Sequence, residues 1–309
     1  MRKRKEQISQ EKKLFSNKQL MIISIILVAI ISLGLVLFDV LLQNQEAKFS
    51  FKAAIVDQLG KDFQSSEFNE TGVVVNILTN AGFNVSYHRS ETIDVAFYRG
   101  LARYNYGIII LRVHSATREG ESIVDFFTSE EFRVDKYVSE QDDGFLTRGY
   151  YLWEPEKSYF AVTPKFVGNL EGCFPKSIII AMGCNSLNET CTEMAEAFIN
   201  KGAKAYIGWT GLVQLSHTDN ETVRLLSKFL PENETLSGAV NALDRDPSYG
   251  SRMKYYPLEA CNLTISELIA EATAPVNFQV TSNIFKPLLM THGTTVINYE
   301  SKDLRPKLD

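Results

Sequence analysis

Cysteine and histidine are scarce in this sequence. Its 309 residues include four cysteines and four histidines. It contains no Cys-x-x-Cys pair and no His-Glu-x-x-His stretch, the spacings that a zinc site most often uses. We therefore expect no metal centre and no organic cofactor.

No cluster of Lys and Arg residues alternates with aromatic residues after the N-terminal segment. The formal net charge is -5, with 45% hydrophobic and 22% charged residues. This is the composition of an ordinary globular domain and argues against a disordered chain. It also gives no support to a nucleic-acid partner.

The N-terminal region has the charge pattern of a membrane anchor. Residues 1–18 carry seven Lys or Arg against two Glu, and residues 20–38 carry no charge. We predict a basic cytoplasmic segment at 1–18, a single transmembrane helix in the lipid bilayer at 19–42, and an extracytoplasmic remainder. A cleaved signal peptide is the alternative, although the apolar run is longer than such peptides usually have.

Glycosylation motifs agree with an extracytoplasmic location. Six asparagines stand in Asn-x-Ser/Thr form, at Asn69, Asn84, Asn188, Asn220, Asn233 and Asn262. We therefore predict a glycoprotein. An oxidising exterior would also permit a disulfide among Cys173, Cys191 and Cys261, and the sequence does not select a pairing.

Short apolar runs alternate with helical patterns from about residue 50. We predict strands at 53–56, 82–87, 108–113, 177–182 and 203–208. Helices are expected between them, and two have apparent capping boxes, at Thr190/Glu193 and Thr218/Glu221. Such strands predict an α/β fold, a three-layer α-β-α sandwich with a mostly parallel central sheet.

The domain limits follow from where this alternation starts and fades. We place the α/β domain at 50–248 and a C-terminal extension at 249–309, with a helix at 265–272 and strands at 278–280 and 294–298. Inside the domain, residues 148–153 and 159–163 predict a β-hairpin whose turn is the Pro-containing stretch 154–157.

Two of the apolar runs stop at residues suited to nucleophilic catalysis. The run at 108–113 is followed by His114, and the run at 177–182 by Gly183 and Cys184. Ligands of open parallel sheets collect at the carboxyl ends of strands. If the two strands are neighbours, the imidazole can act as base or proton donor for the thiol. The backbone N–H groups of Ser115 and Cys184 are the candidate oxyanion donors.

These stretches resemble the caspase-haemoglobinase fold, which includes caspases, gingipains, clostripain, separase and CHAT domains. The likeness lies in a strand ending in His plus a small residue and a second strand ending in a small residue plus Cys. The stretch at 194–208 also looks like CHAT and gingipain-type chains. The resemblance covers about residues 53–243. The family usually has glycine after the histidine, where this chain has Ser115.

The resemblance implies that His114 and Cys184 form the dyad of a cysteine endopeptidase that acts on proteins or peptides. Our leading hypothesis is a membrane-anchored, extracytoplasmic enzyme of this kind. The alternatives are a catalytically inactive caspase-like binding module at the cell surface and a thiol-using transferase. A second candidate, His292, has the His-Gly dipeptide that His114 lacks, but it follows the cysteine in sequence and is interpreted as part of a turn.

The hypothesis carries an expectation about reactivity. Held near His114 and the start of a helix, the Cys184 thiolate should be favoured over the thiol. A thiol probe should then label Cys184 faster than Cys173, Cys191 or Cys261.

Overall fold

The computed structural model of the chain describes residues 17–43, 48–118, 120–151 and 154–274, and in the first of these segments it describes side chains only at 21–34. Most of the predicted cytoplasmic segment lies outside the described residues. So do the predicted strands at 278–280 and 294–298, and His292.

The described residues include nine α-helices and ten strands. The strands are β1 (Lys52–Asp57), β2 (Asn84–Arg89), β3 (Ile108–Arg112), β4 (Ser115–Thr117), β5 (Val124–Glu131), β6 (Leu146–Tyr151), β7 (Glu154–Val162), β8 (Ile178–Ala181), β9 (Ala205–Trp209) and β10 (Met253–Tyr256). The helices are α1 (Asn17–Gln43), α2 (Val73–Asn80), α3 (Val95–Gly100), α4 (Val138–Asp142), α5 (Pro164–Gly168), α6 (Glu193–Asn200), α7 (Leu215–Phe229), α8 (Leu236–Asn241) and α9 (Ile265–Thr273).

The larger sheet has six strands in the order β10-β9-β8-β3-β1-β2. All neighbours are parallel except β10 and β9, which pair antiparallel. The expected mixed α/β fold with a mostly parallel central sheet is therefore confirmed. The two strands that precede His114 and Cys184, β3 and β8, lie side by side as predicted.

Helices cover both faces of this sheet. Ile55 and Ile110 belong to an apolar cluster with residues of α2, α7, α8 and α9. Their neighbours Val56 and Leu111 point the other way, into a cluster with residues of α3, α5 and α6. The strands can be continuously apolar because both of their faces are buried.

A smaller antiparallel sheet, in the order β4-β5-β7-β6, lies on the α3 side. Its inward residues, among them Phe126 and Phe160, share the apolar cluster of that face. The predicted hairpin is confirmed, because β6 and β7 pair antiparallel. Its expected turn is wrong: residues 154–157 already belong to β7.

The capping box predicted at Thr190 is wrong. α6 begins at Glu193 with Thr192 as its N-cap residue. The Thr190 hydroxyl instead donates to Asn188 Oδ1 at 2.9 Å. The Thr190 hydroxyl is therefore bound to Asn188 and does not cap a helix.

The capping box predicted at Thr218 is also wrong. α7 begins at Leu215, so Thr218 and Glu221 lie within the helix and are buried. The Thr218 hydroxyl accepts a hydrogen bond from Trp209 Nε1–H at 2.8 Å and donates to the Met182 carbonyl at 3.2 Å. Tertiary hydrogen bonds, and not helix capping, place threonine here.

The larger sheet extends beyond residue 248, where we placed the end of the α/β domain. β10 pairs with β9 along Met253–Tyr256, and α9 packs on the same cluster as α7. The predicted helix at 265–272 is confirmed as α9. The compact unit ends at Thr273.

The predicted membrane segment coincides with α1, whose described side chains, at 21–34, are all exposed. Within the described part of the chain, however, no helix is both long and apolar enough to cross a membrane.

Candidate active site

His114 and Cys184 follow neighbouring parallel strands at equivalent positions. Leu111 of β3 is paired with Ala181 of β8, and each candidate residue stands three positions after its strand's member of that pair. The Met182 N–H donates to the Leu111 carbonyl at 3.0 Å, so pairing continues toward the two residues. The strand topology therefore brings the predicted dyad residues to the same edge of the sheet.

A direct hydrogen bond joins the two strand ends. The Ser115 hydroxyl donates to the Cys184 carbonyl at 2.6 Å, and Ser115 is buried. Between them passes Gly183, where a Cβ atom would lie 2.2 Å from Ser115 Oγ and 2.7 Å from the Val113 carbonyl oxygen. Only glycine permits this close approach of the two loops.

The N–H group of Ser115 is not used by the small sheet. Ser115 lies opposite Phe126, and the Phe127 N–H donates to the His114 carbonyl at 2.9 Å. This pattern makes Ser115 a non-hydrogen-bonded position of the β4–β5 ladder, so its N–H points away from β5. The Cys184 N–H acts on its own sulfur in the direction that lowers the pKa of the thiol, but burial outweighs this effect. That both groups bind one oxyanion stays a prediction.

Aromatic rings surround the imidazole of His114. The ring centroid lies 4.6 Å from that of Tyr151, 6.0 Å from that of Phe63 and 6.3 Å from that of Phe127. The backbone N–H of His114 donates to Gln58 Oε1 at 3.0 Å. His114 is thus held by its backbone while its ring packs on aromatic groups.

Burial lowers the pKa of His114 to about 4, and the positive charge of Arg112 acts in the same direction. Both effects disfavour a charged imidazolium. At neutral pH the imidazole is therefore uncharged.

Cys184 is half-buried, and its thiol donates to the Val213 carbonyl at 3.8 Å. Burial raises the pKa of this thiol, and the negative charge of Asp246 adds to the effect. Our expectation of a favoured thiolate is therefore wrong. In the free protein the pair is a neutral thiol and a neutral imidazole, because desolvation outweighs the stabilisation that we expected from the surroundings.

Arg112 anchors the end of β3 two residues before His114. Its Nη1 donates to Asp57 Oδ1 at 2.7 Å, its Nε to Asp219 Oδ1 at 2.8 Å and its Nη2 to Asp219 Oδ2 at 3.0 Å. All three side chains are almost fully buried. Tyr87 donates its hydroxyl hydrogen to the other oxygen of Asp57. The network ties β1, β2, β3 and α7 together beneath the site.

The other cysteines lie in different surroundings. Cys173 is exposed, Cys191 is buried and Cys261 is half-buried. All four cysteines are free thiols, so no disulfide forms among the three that we considered. Among the described residues, no group of three or more His, Cys, Asp or Glu side chains is arranged to hold a metal ion.

Three residues that shape the site are absent from the sequence-based prediction: Gln58, Arg112 and Tyr151. The apolar pattern places Arg112 within a buried strand. Because a single arginine in an apolar strand usually needs a buried ion-pair partner, the sequence did contain a signal for the role of Arg112. Gln58 and Tyr151 have no local signal. Their roles come from contacts across 56 and 93 residues of sequence, to His114 and to each other.

No protein-family model and no curated protein matches this chain. What the site does is therefore inferred from its geometry.

Proposed function

We propose that the protein is a cysteine endopeptidase in which Cys184 is the nucleophile and His114 the base. The observation that carries the proposal is the meeting of the two strand ends, joined by the Ser115 Oγ to Cys184 carbonyl hydrogen bond of 2.6 Å. A histidine and a cysteine that follow neighbouring strands at the carboxyl edge of a parallel sheet are suited to acyl transfer once the imidazole reaches the thiol.

The proposed reaction begins from the neutral pair. As Cys184 Sγ attacks the substrate carbonyl carbon, the thiol proton passes to the His114 imidazole. The carbonyl oxygen becomes an oxyanion, which the N–H groups of Ser115 and Cys184 stabilise. The C–N bond then breaks, and the imidazolium gives its proton to the leaving amine. A water molecule, deprotonated by His114, hydrolyses the resulting thioester and restores the thiol.

The resemblance to the caspase-haemoglobinase fold is part of this proposal. The observed order of the two residues, histidine before cysteine, and their placement after adjacent parallel strands support it. The uncharged run at 20–38, directly after a basic segment, supports attachment to a lipid bilayer. We accordingly propose a single-pass membrane protein whose catalytic domain lies outside the cytoplasm.

Protease added to intact cells should digest the catalytic domain and leave a fragment that contains the N-terminal segment. The reason is the excess of Lys and Arg ahead of the uncharged run, which keeps that end in the cytoplasm. Immunoblotting with tags at both ends measures this, with detergent-lysed cells as the control for cleavability. A domain that resists protease on intact cells but not after lysis would contradict the topology.

A catalytically inactive binding module is the second candidate, and one observation favours it. The Cys184 thiol donates to the Val213 carbonyl and its pKa is raised, so the free protein holds it in an unreactive form. In the binding module this state is permanent. In the endopeptidase it ends when a substrate carbonyl arrives.

Labelling with two electrophiles separates these candidates. Iodoacetamide should modify the exposed Cys173 before Cys184, because simple alkylation follows access and thiolate content. A library of peptidyl acyloxymethyl ketones should modify Cys184 selectively, because the peptide part brings the reactive carbon to the thiol. Peptide mapping by mass spectrometry on the full chain gives both rates.

The matched control is His114→Gln, which should lose the peptidyl labelling of Cys184 while Cys173 reacts with iodoacetamide as before. If no member of the ketone library modifies Cys184 in the folded chain, the endopeptidase proposal fails and the binding module stands.

A further inference from the structure

His114, Gln58 and Tyr151 are linked by hydrogen bonds and a ring contact, which apolar packing alone does not require. Gln58 accepts the His114 N–H at its Oε1 (3.0 Å) and donates from its Nε2 to the Tyr151 hydroxyl (3.0 Å). The Tyr151 ring lies 4.6 Å from the imidazole, centroid to centroid. One side chain thus bonds both the backbone of His114 and the tip of the ring that covers its imidazole.

Each member of this set is itself fixed. The Gln58 N–H donates to the Arg112 carbonyl at 3.1 Å, and the Gln58 carbonyl accepts from the Ser90 hydroxyl at 2.6 Å. The His114 carbonyl accepts from the Phe127 N–H at 2.9 Å. Gln58 and the backbone of His114 therefore have little freedom, and Tyr151 reaches them from another sheet.

The geometry of the smaller sheet places the Tyr151 side chain next to His114. The β6–β7 register shifts between Tyr150 and Tyr151, which is the kind of irregularity that re-aims a side chain beside a site. Tyr151 stacks on Phe127 at 5.2 Å and 18°. Phe127 in turn packs over Gly149, where a Cβ atom would meet the ring at 2.4 Å.

We propose that Tyr151 is a positioning residue: Gln58 holds its hydroxyl, and its ring fixes the orientation that the His114 imidazole needs for proton transfer with Cys184. The proposal depends on the endopeptidase function proposed above, because a fixed imidazole matters only if it moves a proton. The hydrogen bond of the Tyr151 hydroxyl holds the Tyr151 ring in place, and this ring limits the rotation of the His114 imidazole. The hydrogen bond from Gln58 fixes the position of the His114 backbone after β3. The small sheet is then a support for the base, and not only a cover of the core.

The test uses Tyr151→Phe, which removes the hydroxyl and keeps the ring, and Gln58→Met, which removes both hydrogen bonds at similar volume. For a peptidyl acyloxymethyl ketone that labels Cys184, the maximal inactivation rate should fall about 10- to 100-fold in each variant, with the half-saturating probe concentration unchanged. The double variant should lose no more than Gln58→Met alone, because both changes break the same bond. Tyr159→Phe is the control, since Tyr159 contacts Tyr151 but not Gln58, and should react as the wild type does.

A second measurement does not depend on catalysis. NMR titration of the His114 imidazole in the full chain should give a pKa near 4 in the wild type, which rises toward 6.5 in Tyr151→Phe and in Gln58→Met as the ring becomes accessible to water. Unchanged titration together with additive or absent rate effects would overturn the proposal. If the wild type is never labelled, the peptidase function fails on its own, and an unchanged titration in both variants would still overturn the role of Tyr151.

Discussion

Replacing Cys184 by alanine should reduce peptide hydrolysis by at least about 10⁴-fold, because the variant has no atom to form the thioester. His114→Gln should have an effect of similar size, since the neutral thiol of Cys184 cannot attack without a base to take its proton. A fluorogenic peptide library and unfolded casein, each assayed with the full chain in detergent, measure the loss. Circular dichroism checks that both variants keep the fold.

Two matched variants control this experiment. Cys173→Ala removes an exposed thiol from the segment before β8, whereas Cys184 follows that strand, and His292→Ala removes the one histidine of the sequence that precedes a glycine. Both should keep full activity. If His292→Ala lost more activity than His114→Gln, or if Cys184→Ala remained active, the dyad would be wrongly assigned.

Replacing Arg112 by methionine should lower the free energy of unfolding by about 3–5 kcal/mol, the usual cost of leaving buried charges without their partner. Arg112 is fully buried, and its loss would leave Asp57 and Asp219 facing each other without a cation. Urea-induced unfolding of the full chain, followed by tryptophan fluorescence, measures the change.

The triple variant Arg112→Met, Asp57→Asn, Asp219→Asn should recover much of that loss, because removing both carboxylates leaves no unpaired charge. The surface variant Arg133→Met should show no measurable change, since its pair with Asp135 is exposed. If Arg112→Met and Arg133→Met lowered the free energy of unfolding equally, the buried network would not stabilise the fold as proposed.

The central sheet could be predicted from local sequence because its strands are buried on both faces. Ile108–Arg112 and Ile178–Ala181 are almost entirely apolar, and a run of that length between helical patterns is typical of a strand inside a parallel sheet. The positions of His114 and Cys184 at the ends of such runs followed directly. Whether His114 and Cys184 come close together depends on β3 and β8 being neighbours in the sheet. The handedness rule for parallel connections permits this strand order but does not determine it.

The rest of the site depends on distant contacts with no local pattern. The partner of Arg112 in α7, Asp219, is 107 residues away, and Tyr151 meets Gln58 across 93 residues. The predicted protonation state was wrong for a related reason. Proximity to a base and to a helix start suggested a thiolate, whereas burial of Cys184, which only the packed structure reveals, decides its pKa.

The hydrogen atom that serves as the side chain of Gly183 lets the chain after β8 pass close to the chain after β3. A methyl group in its place would overlap two oxygen atoms, the hydroxyl oxygen of Ser115 at the start of β4 and the carbonyl oxygen of Val113, which follows β3. The strands below would keep their pairing, and the two loops would have to separate above them. We therefore expect an added carbon atom at Gly183, which has no proposed part in the reaction, to affect the proposed chemistry more than it affects the fold.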